Sequence, residues 1–171
     1  MNMTHYMELL ATNQPWNLLL FMGIPVVLAE TLAITELYLL FTRKLNGWVH
    51  GVNRVAGITV GLYFIGVIYY LMKNAVLPLT AAGEWRTLID VVAVLSYLIS
   101  GLPLIWIAVQ ELGLVNQRLG QEEKLKVHAI CVALFLVFGH VAMIAGMMDP
   151  GLLGYDGGQH GHMEMDQPHN H

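Results

Sequence analysis

Four long apolar stretches separated by short polar connections dominate the chain. The first runs from about Trp16 to Phe41 and ends at Thr42-Arg43-Lys44. The second runs from Trp48 to Met72 and ends at Lys73-Asn74, with Pro78 beyond. The third covers Trp85 to Val109, and the fourth covers Lys126 to Met148, stopped by Asp149-Pro150-Gly151. Each exceeds the ~20 residues that an α-helix needs to cross hydrocarbon. Trp16, Trp48 and Trp85 stand at segment starts, where an interfacial aromatic belt belongs. The pattern predicts an all-α integral membrane protein, an up-down four-helix bundle over 15–149. An N-terminal segment over 1–14 precedes it, and a His/Met-rich tail over 150–171 follows.

Composition strengthens that reading. The chain is 56% hydrophobic and 12% charged, against about 25% charged for an ordinary globular domain. Its mean hydropathy is +0.58. A soluble domain of 171 residues does not hide that much apolar surface. The lone Cys131 excludes an intrachain disulfide and any CxxC-type site, and it reads as a small buried hydrophobe. The N-terminus has no basic region ahead of its first apolar stretch, so that stretch is expected to stay as a helix.

Basic residues set the expected orientation. Arg43, Lys44 and Arg54 flank the first connection, and Arg118, Lys124 and Lys126 flank the third. The second has only Lys73 and Arg86, and neither terminus has any. The positive-inside rule puts connections one and three in the cytoplasm and both termini outside. No internal repeat supports an inverted-repeat transporter. Gly57, Gly61 and Gly66 allow close helix packing, and the Gly57/Gly61 spacing alone is weak grounds for a dimer.

Ionisable groups inside a span are costly and draw attention by default. Glu36, His50, Arg54 and His128 fall toward the inner side; Arg54 is expected to pair with Glu36. His50 and His128 start different helices at similar depth, so they form a candidate axial pair for haem b. Toward the outer side, His140, Met143 and Met147 follow one helical face, and Met22 and Met72 lie at comparable depth. His140 with Met22 is a second arrangement for haem. Asp90 is placed to orient His140 as a hydrogen-bonding neighbour. Glu30 falls deeper, with a role as a proton carrier or a helix-bridging group left open.

On this topology all ten methionines and six of the eight histidines lie in or beyond the outer half. Thioether and imidazole suit soft and borderline metals, copper above all. The tail adds His160, His162, Met163, Met165, His169 and His171 in a segment too polar to build a core, so it is expected to be disordered and to bind metal ions weakly. Met1-Asn2-Met3-Thr4-His5-Tyr6-Met7-Glu8 repeats the theme and suits a short interfacial helix.

Three segments carry a resemblance: Pro15-Trp16-Asn17 on through Glu30 to Glu36, Asn53-Arg54-Val55-Ala56-Gly57, and His140 through Met148-Asp149-Pro150. They resemble an uncharacterised family of small bacterial four-span inner-membrane proteins, loosely labelled permease. The resemblance covers nearly all of the chain but the tail and implies fold and location, with no catalytic residues to carry over.

Three functions stay open. The first is metal capture or passage, with copper, on the outer side of a bacterial inner membrane. The second is a b-type cytochrome taking electrons from quinol through His50, His128 or His140. The third is an accessory subunit, as a homo-oligomer or within a larger membrane complex. No Ser elbow, phosphate loop or HExxH helix points to a hydrolase, so the reading leans away from an enzyme. Eight basic residues spread over three connections exclude nucleic-acid binding.

Overall fold

The computed structural model of the chain describes residues 4–43, 47–83, 85, 88–115 and 120–148. Its elements are a short helix α1 (His5–Ala11) and four long ones: α2 (Trp16–Thr42), α3 (Trp48–Ala82), α4 (Leu88–Glu111) and α5 (Gln121–Met147). All four long helices have the length and hydropathy to cross a membrane. The shortest, 24 residues, extends about 36 Å at 1.5 Å per residue, more than the ~30 Å hydrocarbon core. Each long helix packs on its sequence neighbours, and α2 also packs on α5, which closes the bundle. The fold is the expected four-helix arrangement.

Two boundaries differ from expectation, and proline explains one of them. Helix α3 does not stop at Lys73-Asn74; it passes through a π-helical turn, Met72–Val76, and resumes as α-helix from Leu77 to Ala82. Pro78 then sits in the first turn of the resumed helix, and the π turn before it carries the chain past the position where proline offers no N–H. Asn74 donates from its own amide to the Tyr70 carbonyl at 3.0 Å. Helix α5 starts at Gln121 rather than Lys126, because Gly120 and Glu123 close a cap there. The Gly120 N–H donates to the Glu123 carboxylate at 3.3 Å. Glu122 and Glu123 also sit well in the positive first turn.

Helix α2 repeats the proline device. A π-helical turn, Leu19–Gly23, precedes Ile24-Pro25. Pro25 has no N–H to offer the Phe21 carbonyl four residues back, and the π register leaves the Leu20 carbonyl without its helical donor as well. Two tyrosines from other helices supply the missing hydrogens. Tyr97 on α4 donates to the Phe21 carbonyl at 2.7 Å, and Tyr63 on α3 donates to the Leu20 carbonyl at 2.6 Å. In hydrocarbon there is no water to do this work.

The core joins Leu32, Phe64, Tyr97, Leu104, Ile107 and Phe135, with the Phe64 and Phe135 rings edge to face at 5.5 Å. The glycine spacing on α3 serves this crossing inside one chain. A Cβ on Gly61 would overlap Ala108 and lie 2.8 Å from the Leu104 carbonyl oxygen on α4. At the end of the bundle that carries α1, Thr4 is fully buried and donates to the Gly146 carbonyl at 2.7 Å. Thr4 Oγ1 also accepts from the Met7 N–H, which caps the short helix expected there. We call this the terminal end and the opposite end, where Arg54 and Lys124 stand, the basic end.

Candidate functional site

Two polar regions lie at opposite ends of the bundle. At the basic end each long helix contributes a side chain to one charged cluster. Glu36 of α2 and His128 of α5 are both fully buried. His128 Nδ1 lies 3.6 Å from Glu36 Oε1, and its Nε2 lies 3.7 Å from Glu111 Oε1 on α4. Arg54 of α3 approaches the other oxygen of Glu111 through Nε at 3.7 Å. The order is therefore Glu36, His128, Glu111, Arg54.

This corrects the expected pairing of Arg54 with Glu36. Arg54 projects to the rim of the bundle, with its side chain 57% exposed, whereas the carboxyl of Glu36 points inward. The neighbour that does face α2 is Asn53, whose amide donates to Thr35 Oγ1 at 2.8 Å. Glu111 and Gln110 were missed because they close the third apolar stretch and read as its polar boundary. Their signal was positional. Glu111 continues the buried α4 stripe of Ala93, Tyr97, Ser100, Leu104 and Ile107 at alternating steps of four and three.

Arg54, Gln110, Glu111, His50 and Lys124 line a cavity of about 270 Å³ at this end. Gln110 is buried, and neither its amide nitrogen nor its oxygen has a hydrogen-bond partner among the described residues. The same holds for both oxygens of Glu36 and both ring nitrogens of His128. His50 thus lines the cavity while His128 is enclosed. A carboxylate lies near each ring nitrogen of His128.

At the terminal end a second cavity, about 170 Å³, is lined by Met22, Glu30, Tyr97, His140 and Met143 among others. His140 Nδ1 lies 2.6 Å from the Leu136 carbonyl of its own helix. A carbonyl only accepts, so Nδ1 carries the proton and Nε2 keeps its lone pair for another partner. That bond sets the His140 tautomer, and Asp90 is fully buried in the first turn of α4. Glu30, expected to lie deeper, shares the cavity with His140. Met147 is 64% exposed and does not line it, nor does Met72. The tail ligands His160, His162, Met163, Met165, His169 and His171 lie outside the described residues. Among the described residues no three His, Cys, Asp or Glu side chains converge as a ligand group. The donors that line this cavity are two thioethers, one imidazole and one carboxylate.

Fold and site define a four-helix bundle of membrane-spanning type, with a closed polar cluster at one end and a thioether-lined cavity at the other. The chain belongs to a family of unknown function, DUF6803, whose sequence profile matches residues 1–163. Comparison with curated proteins and with solved structures found no match.

Proposed function

We propose that this protein binds a transition metal ion, copper in its cuprous state, at the terminal end of the bundle. In this reading it sits in a bacterial inner membrane with both termini outside, and the tail recruits the ion. The observation that carries the reading is the meeting of Met22, Met143 and His140 around one cavity. Thioethers select Cu(I) over harder divalent ions. They are also neutral ligands, which a site facing hydrocarbon accommodates at less cost than several charges. The fixed tautomer of His140 leaves Nε2 ready to ligate without first losing a proton.

The test is cuprous-ion competition against a chelator in detergent. One full-length protein carries substitutions at the tail donors His160, His162, Met163, Met165, His169 and His171. A second adds His140→Ala and Met143→Leu. The first is expected to keep one tight site and the second to lose at least about tenfold in affinity, the scale of effect that ligand-shell changes produce. Equal binding by the two proteins rejects the membrane site.

A further inference from the structure

The cluster at the basic end holds chemistry that metal capture does not use. A neutral imidazole has one N–H and one lone pair. In His128 each ring nitrogen faces a carboxyl group, Glu36 on one side and Glu111 on the other. If both carboxylates are ionised, the N–H satisfies one of them and the lone pair is forced against the other. Both contacts become attractive only when the three side chains share one further proton. Charge leads to the same count. Ionised Glu36 beside neutral His128 leaves a net negative charge in a region closed to water, whereas one added proton makes that pair neutral overall.

We propose that Glu36, His128 and Glu111 form an exchangeable proton site, filled and emptied through the 270 Å³ cavity at the basic end. Glu111 is the junction. Its side chain lines that cavity, one of its oxygens faces His128 and the other faces Arg54. A proton taken up by the Glu111 carboxylate passes to Nε2 of His128. The proton on Nδ1 passes in the same exchange to the Glu36 carboxylate. Glu111 is again ionised, the imidazole is again neutral in its other tautomer, and Glu36 holds the proton as a carboxylic acid. Release follows the reverse course. Histidine suits the central position because it accepts at one nitrogen while donating from the other. Arg54 from α3, with Lys124 and His50 along the cavity wall, opposes loading of a second proton.

Infrared difference spectroscopy of the full-length protein in lipid bilayers tests this, comparing acid and alkaline conditions. The expected result is the carbonyl band of one buried carboxylic acid that appears on acidification, shifts in D2O, and is lost in Glu36→Gln. Glu122→Gln, at an exposed position at the start of α5, keeps the band. A spectrum without a pH-dependent buried carboxyl band, or a Glu36→Gln protein that retains it in full, overturns the proposal. Should Glu36→Gln fail to fold, the wild-type protein still decides. The ¹⁵N signals of the His128 ring are expected to move with the same midpoint as the carboxyl band, and separate midpoints overturn the proposal.

Discussion

The two ends of the bundle solve the problem of polar groups in an apolar medium in opposite ways. At the basic end formal charges are drawn into the interior, and all four long helices converge on them. At the terminal end the groups are mostly uncharged and polarizable, and they sit in a half-open cavity on the flank, formed largely by α2 and α5. An interior charge needs a partner on every side, because low dielectric magnifies what is missing as much as what is present. A thioether needs none. The first arrangement is therefore intolerant of single changes, and the second tolerates them in stability while losing binding.

The largest expected effect breaks the closed cluster. His128→Leu strands the Glu36 carboxyl without its partner and is expected to cost about 3–5 kcal/mol, as removal of one member of a buried pair does. The double change Glu36→Leu with His128→Leu is expected to recover most of that loss, since an apolar replacement of both members is often near neutral. Thermal unfolding in detergent of the two proteins reads the difference, and equal melting temperatures mean that the two side chains do not couple. Next comes Tyr97→Phe, which leaves the Phe21 carbonyl without its donor at the wall of the second cavity. A loss of about 1 kcal/mol is expected from one buried hydrogen bond. Tyr63→Phe is expected to cost a similar amount, because the Leu20 carbonyl it serves faces hydrocarbon, with no water to replace the donor. Smaller still, His140→Ala is expected to shift stability by no more than about 0.5 kcal/mol, as exposed positions do, even where it removes cuprous-ion binding. Met147→Leu, whose side chain is outside the cavity, is expected to change neither quantity, and a drop in affinity there would extend the site beyond the cavity rim.

The bundle was legible because hydropathy and span length answer directly to the thickness of a bilayer, with no need to know how helices turn toward one another. The candidate sites depend on that turning. Glu36, Arg54 and His128 each stood out as ionisable residues in apolar stretches, yet pairing Arg54 with Glu36 required the rotation of α3 about its axis. The structure sends Asn53 inward and Arg54 to the rim, a difference of one residue, or about 100° on a helix. Met22, His140 and Met143 were found from spacing and depth, because residues on one helical face at one depth need little rotational detail. Glu111 escaped notice for the opposite reason: at the end of a span, a buried carboxylate and a solvated one look alike in sequence. The prolines of α2 and α3 were visible, but the π turns that absorb them were not, since these depend on donors that other helices provide.

Those donors bear on how the chain is made. Helix α2 is synthesised first among the four, and it enters the membrane with the Leu20 and Phe21 carbonyls unmet by its own backbone. Tyr63 arrives with the next helix and Tyr97 only with the one after. The first segment is thus chemically incomplete until the third has been delivered beside it. Assembly acquires a direction from this debt in hydrogen bonds, and a chain halted after two spans would still carry the Phe21 carbonyl without its tyrosine donor.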